Sequence, residues 1–143
     1  MDHVAVMKGS WGLTRKILAG DKTVESRWYK ARRPPWNAIG RGDAVYFKDS
    51  GKPVNMVARV AKVIQFSDLD PRKVGEILQK YGSGIGIEER DSRKFFEAFR
   101  DKRYCILVFL KDVREVEPFY IDKSGFGLMS AWLMLDDVGK IRK

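Results

Sequence analysis

The stretch RYCILVFLKDV, residues 103–113, constrains this chain more than any other. Tyr104 to Leu110 is an unbroken apolar and aromatic run, mostly β-branched or ringed, with charges on either side. Such residues favour a strand. The run is far below the ~20 residues that span a membrane as a helix. Side chains of a strand alternate between two faces, so a run apolar at every position needs cover on both. Burial on both faces is the expectation for this strand. The 143 residues are one domain's worth of chain, enough for a single sizeable core.

The rest of the sequence supplies suitable partners. His3 to Met7 reads as a short apolar strand, expected at a sheet edge. GSWGLTRKILAG (9–20) predicts a helix, with Ser10 as cap, Leu13 and Ile17 on one face, and Gly20 as stop. TVESRW (23–28) predicts a strand with Val24 and Ser26 on one face and Thr23, Glu25 and Arg27 on the other. Tyr29 to Gly42 reads as a loop stiffened by Pro34-Pro35. Residues 43–66 form a hairpin pattern around DSGKP. Asp70-Pro71 predicts a helix through Tyr81, with Asp as cap and Pro in the first turn, and GSGIG (82–86) is expected to break it. A second helix is predicted from about Asp91 to Asp101, its apolar side carrying Phe95, Phe96 and Phe99 into the core. After the long apolar strand, REVEPFYI and SAWLMLDDV each predict one more. This order gives a mainly β, α+β domain over residues 1–143. It suits a small mixed barrel with helices packed on it.

Charge narrows the function. Lys and Arg number 28 against 19 acidic residues, a net charge of +9. A small basic domain suits phosphate-bearing partners, nucleic acid first. The basic residues interleave with rings in one place, GDKTVESRWYKARRPPW (20–36). Lys22 stands at the turn before a strand on which Glu25 and Arg27 share a side. Trp28, Tyr29 and Trp36 alternate with Lys30, Arg32 and Arg33. Lys8, Ser10 and Trp11 lie where the first helix begins, and free backbone N–H groups there attract anions. Rings stack bases, arginine forks grip phosphates, and a carboxylate accepts from the amino group of cytosine. A Glu–Arg pair tying strand to helix beside a solvated basic loop accounts for the same residues, and the composition leaves both readings open.

Other candidates carry less. Cys105 is expected as a buried core thiol, since the sole histidine, His3, is remote in sequence and a zinc cluster needs more ligands. His3 itself reads as structural. Asp136-Asp137 lacks companions for a metal site. GSGIG has a helix before it and matches no phosphate-cradling pattern. No metal or cofactor is expected. Without a signal peptide or a membrane-spanning run, a cytoplasmic protein and a monomer are the expectations.

The 20–36 stretch resembles the ASCH domain of the PUA-like superfamily, marked by Gly-x-Lys-x-x-Glu-x-Arg after the first helix, here Gly20, Lys22, Glu25 and Arg27. GDAVYF, VARVAKVIQFSDL and RYCILVFL are similar to the family's later strands. The resemblance implies a PUA-like β-barrel with the first helix beside a ligand cleft lined by the motif. A helical insertion would span about 70–102, and a C-terminal strand extension about 117–143. It implies RNA binding, or a modified nucleoside as ligand. Some small bacterial members are N4-acetylcytidine amidohydrolases with a lysine at the position of Lys22 and a threonine at that of Glu25. Here the glutamate excludes covalent threonine chemistry, so catalysis would fall to Lys22 and Glu25 as a hydrolase pair acting on an acylated nucleoside or RNA. A carboxylate flanked by Lys22 and Arg27 serves better as a hydrogen-bond acceptor than as a proton shuttle, which favours a binding module.

Overall fold

The computed structural model describes every residue except Leu128, with Trp11 represented by its backbone alone. Six strands form one mixed sheet: β1 (Asp2–Met7), β2 (Val24–Tyr29), β3 (Ala44–Asp49), β4 (Val54–Phe66), β5 (Tyr104–Phe119) and β6 (Trp132–Leu135). Three helices accompany them: α1 (Leu13–Ala19), α2 (Pro71–Ile85) and α3 (Ser92–Phe99). The sheet order is β2-β5-β4-β3-β1-β6, with β1 parallel to β3 and every other pair antiparallel. The sheet curls into a half-barrel whose two edge strands are β2 and β6.

β5 does what its composition demands. Ile106 and Val108 face a core shared with Ala5, Val45, Phe47, Met56 and Ile17 of α1. Cys105 and Leu107 face the opposite way, onto Val74, Ile77 and Ile85 of α2 and the partly buried Phe96 and Phe99 of α3. Full burial of such side chains contributes about 1.5–3 kcal/mol each, so this strand anchors both layers. A third cluster, with Val4, Val54, Phe119, Leu133 and Val138, seats the C-terminal segment.

Several sequence expectations are revised. The expected break between RYCILVFLKDV and REVEPFYI is a bend: one strand runs on to Phe119, with Asp112 at φ 51° where the pairing with β4 shifts register. Such a bulge turns a strand without ending it. The helix capped by Asp70, whose side chain accepts from the Lys73 N–H at 2.8 Å, runs beyond Tyr81 through Ile85 and stops at Gly86. Gly82 and Gly84 do not break it, because tertiary packing overrides their weak helix propensity. A Cβ on Gly84 would lie 3.1 Å from Val24 Cγ2, so any larger residue there would require Val24 to give way, and glycine eases the close approach of α2 to β2. Ser10 caps nothing: residues 9–11 form a 3-10 turn, and α1 starts after Gly12 in the left-handed region. His3 is not on an edge, because β6 adds outside β1. Among the described residues no helix is long and apolar enough to cross a membrane.

Candidate functional site

Lys22 is 1% exposed, the largest of the fully buried side chains. Its Nζ donates to Val24 O and Ile85 O, both at 2.7 Å, and stands 3.8 Å from Glu25 Oε1. Ile85 O belongs to the last turn of α2, where unpaired carbonyls and the helix dipole favour a cation. Lys16 uses the same helix end, donating to Gly86 O at 2.8 Å. Gly86 makes room for this: at φ 94° it turns the chain, and a Cβ there would sit 3.1 Å from Lys22 Cβ. Burial holds the Lys22 ammonium below the usual lysine range, opposed by the Glu25 carboxylate.

Glu25 is 3% exposed. Its Oε1 accepts from the Ser26 N–H at 2.9 Å, with Arg27 Nε at 3.8 Å on the other side from Lys22. Its Oε2 has no donor, and Arg27 Nε has no acceptor at hydrogen-bond distance. Buried polar atoms are rarely left so. The rest of the Arg27 guanidinium crosses the open seam of the half-barrel, donating to Ala131 O at 3.3 Å and Val6 O at 3.4 Å, with Met7 Sδ at 3.3 Å. It lies 5.0 Å above the Trp132 ring. These are long contacts. Arg27 therefore fastens the β2 edge loosely to β1 and to the residue before β6.

A cleft of about 260 Å³ opens along the unpaired edge of β2. Lys22, Glu25 and Arg27 sit at its charged end. Trp28, Tyr29, Phe95, Phe99, Leu13 and Ile87 supply apolar and aromatic walls, and Lys8 reaches the rim. Trp28 is set by stacking on Phe99 at 4.7 Å and by donating to Ser26 Oγ at 3.0 Å. The Tyr29 hydroxyl donates to Pro34 O at 2.9 Å, and burial pushes it above the ordinary tyrosine range. In larger depressions of about 720 Å³ around Arg15 and Glu117 and about 750 Å³ around Glu88 and Glu89, none of the charged residues is buried. Of these three, the small cleft is the one built around buried charge.

The structure thus brings together Lys8, Lys22, Glu25, Arg27, Trp28 and Tyr29 of the sequence candidates. Lys30, Arg32 and Arg33 are exposed on the following loop and do not line the cleft. Trp36 is half-buried against Tyr104 at 5.1 Å, with Arg32 over both rings at 6.0 and 5.7 Å, also outside the cleft. Ser10 is exposed on the 3-10 turn, and the side chain of Trp11 lies outside the described residues. Of α1, which the resemblance sets beside the cleft, only Leu13 reaches it; α2 and α3 form more of the wall. Sequence reading missed Ile85, Phe95, Phe99, Ala131 and Trp132. The signal for Ile85 was GSGIG, whose carbonyls receive the two lysines, while the spacing of Phe95 and Phe99 pointed to the core alone. Among the described residues no cluster of three metal-ligating side chains occurs.

An ASCH protein of Zymomonas mobilis superposes with a TM-score of 0.66 at 20% identity, covering 94% of this chain and 87% of its own. A mutant of that protein gives 0.69 at 19% identity, over 97% of this chain and 93% of the other. The fold is ASCH-like. Hypothetical protein PH0355 shares the ASCH-like fold in part, with a TM-score of 0.52 at 19% identity over 81% of this chain and all of its own length. No family model and no curated protein matches the sequence.

Proposed function

We propose that this is a nucleic-acid-related binding module whose cleft takes one base of an RNA strand, or a modified nucleoside, between aromatic walls. The observation that supports it best is the buried Glu25 carboxylate, with one oxygen lacking a donor, beside an Arg27 Nε lacking an acceptor. A base edge that presents an amino group next to a ring acceptor complements such a pair. Both atoms are sealed from water, so binding requires the weakly held Arg27 guanidinium to shift. The exposed Lys30, Arg32 and Arg33 would meet the phosphates of the strand. The +9 charge suits that partner.

A hydrolase pair of Lys22 and Glu25 is less well served. Two of the three Lys22 ammonium protons are committed to backbone carbonyls. Little remains to stabilise a developing oxyanion. The test is fluorescence anisotropy with labelled short single-stranded RNA across a salt series, together with incubation with N4-acetylcytidine. Affinity is expected to fall with salt at a slope of ~0.7 per phosphate contacted, flattened by about one to two in Arg32→Ala/Arg33→Ala. Glu25→Gln, which replaces one acceptor oxygen by a donor, is expected to weaken binding at least tenfold with the fold retained. Salt-insensitive binding unchanged in both variants refutes the module. Turnover abolished by both Lys22→Ala and Glu25→Gln, in folded protein, replaces it with the hydrolase.

A further inference from the structure

His3 is fully buried on β1, between Val45 of β3 and Met134 of β6 as cross-strand partners. Its Nε2 lies 2.9 Å from Asp43 Oδ2, and its Nδ1 lies 3.0 Å from the indole Nε1 of Trp132. An indole N–H can only donate. Nδ1 must therefore be the unprotonated nitrogen, with the ring proton on Nε2 and donated to Asp43. Two bonds of opposite sense fix both the tautomer and the orientation of the Trp132 ring. The other side of that ring system carries Arg27, 5.0 Å from the centroid. Asp43, His3, Trp132, Arg27 and Glu25 therefore form one continuous chain of contacts that ends at the cleft.

We infer that Trp132, oriented by His3, is a positioning residue for Arg27, and that protonation of His3 releases Arg27 from its place across the seam. A protonated imidazole carries N–H on both nitrogens. Its Nδ1–H would then face the indole N–H at 3.0 Å, two donors with no acceptor between them. One ring must turn. If the indole turns, Arg27 loses the π face beneath it and keeps the Glu25 carboxylate at 3.8 Å and long contacts of 3.3–3.4 Å to Ala131 O, Val6 O and Met7 Sδ. The charged groups facing His3 are Asp43, Asp2 and the N-terminal ammonium, whose nitrogen is 3.8 Å from Asp43 Oδ1. Burial outweighs the two carboxylates and lowers the His3 pKa, so the neutral ring is the resting state at neutral pH. The coupling concerns Arg27 itself and holds whether or not the cleft takes RNA.

The test needs no ligand. In ¹⁵N-labelled protein titrated from about pH 7.5 to 4.5, the Trp132 indole and Arg27 Nε–H resonances are expected to shift together, with one midpoint below the ordinary histidine value of ~6.5. In His3→Asn, whose amide oxygen replaces Nδ1 as acceptor without titrating, the Arg27 resonance is expected to lose that midpoint. In Trp132→Phe, which retains a ring but no N–H, His3 still titrates and Arg27 no longer follows. Retention of the midpoint by Arg27 in either variant, or separate midpoints for the two resonances in the wild type, overturns the inference. So does global loss of dispersion before Arg27 moves.

Discussion

Replacing Lys22 by methionine keeps the length and most of the buried stem but removes the charge. Three things are then lost at once. Val24 O and Ile85 O each lose a 2.7 Å charge-assisted donor, worth about 1.5–3 kcal/mol apiece. Glu25 also keeps only Arg27 at 3.8 Å and the Ser26 N–H to balance a buried carboxylate. Breaking one side of a buried ion pair costs about 3–5 kcal/mol. These terms overlap, since one ammonium makes all the contacts, so the loss is taken as about 3–5 kcal/mol rather than their sum. Against a total stability of roughly 5–15 kcal/mol that is severe. For a chain of this size it lowers Tm by about 10–20 °C. Thermal melts followed by circular dichroism measure it. A second variant, Lys22→Met with Glu25→Gln, is expected to recover part of the loss, because the uncompensated carboxylate is gone. A Tm within about 3 °C of wild type in Lys22→Met would refute the view that this lysine ties α2 to β2. It follows that loss of binding in a Lys22 variant speaks to function only after its fold has been checked.

Gly86→Ala is expected to cost about 1–3 kcal/mol in urea unfolding, because an L side chain must adopt φ 94° and crowd Lys22. Trp36→Ala is expected to lower stability by about 2–3 kcal/mol, since the ring packs on Tyr104 and borders the half-barrel core; a binding defect with an unchanged melt would return it to the ligand surface. Cys105, wholly buried with its thiol pushed far above the ordinary range, is expected to resist a thiol-reactive disulfide in the native protein and to react fully on unfolding. Because the folded pKa of His3 is lowered, the unfolded chain takes up its proton first. Stability is then full above pH ~6.5 and falls as the pH drops from there toward the folded value. The lowered Asp43 pKa adds a further loss below the ordinary aspartate range, and a series of melts against pH reads both.

Local signals in the sequence were clear wherever short-range chemistry decides structure. The β5 run announced its two-sided burial, Asp70-Pro71 announced the α2 cap, and the alternation in 23–28 set Glu25 and Arg27 on one side. What the sequence hid depends on closure of the sheet. Lys22 was legible as a residue at a turn before the motif strand but not as a buried one, because the carbonyl that buries it is Ile85, 63 positions on. GSGIG looked like a breaker, because the reason for Gly84 and Gly86 is the nearness of Val24 and Lys22. His3 and Trp132 gave no hint of each other, since only the pairing of β1 with β6 joins them. The density of rings and charges around Trp36 gave no sign that its ring packs on Tyr104 of β5 with Arg32 over both.

The seam that Arg27 spans has a consequence in time. One wall of the cleft carries the motif, and the other holds Ala131, 104 residues later. A ribosome adding about 5–20 residues per second needs roughly 5–20 s to pass from one to the other. Until residues 104–109 are made β2 has no strand to pair with, and until Ala131 and Trp132 follow Arg27 has neither that carbonyl to receive it nor an indole beneath it. Any product cut short before residue 131 retains the whole recognisable motif and lacks the far wall. The site therefore becomes whole only when Ala131 and β6 have been made.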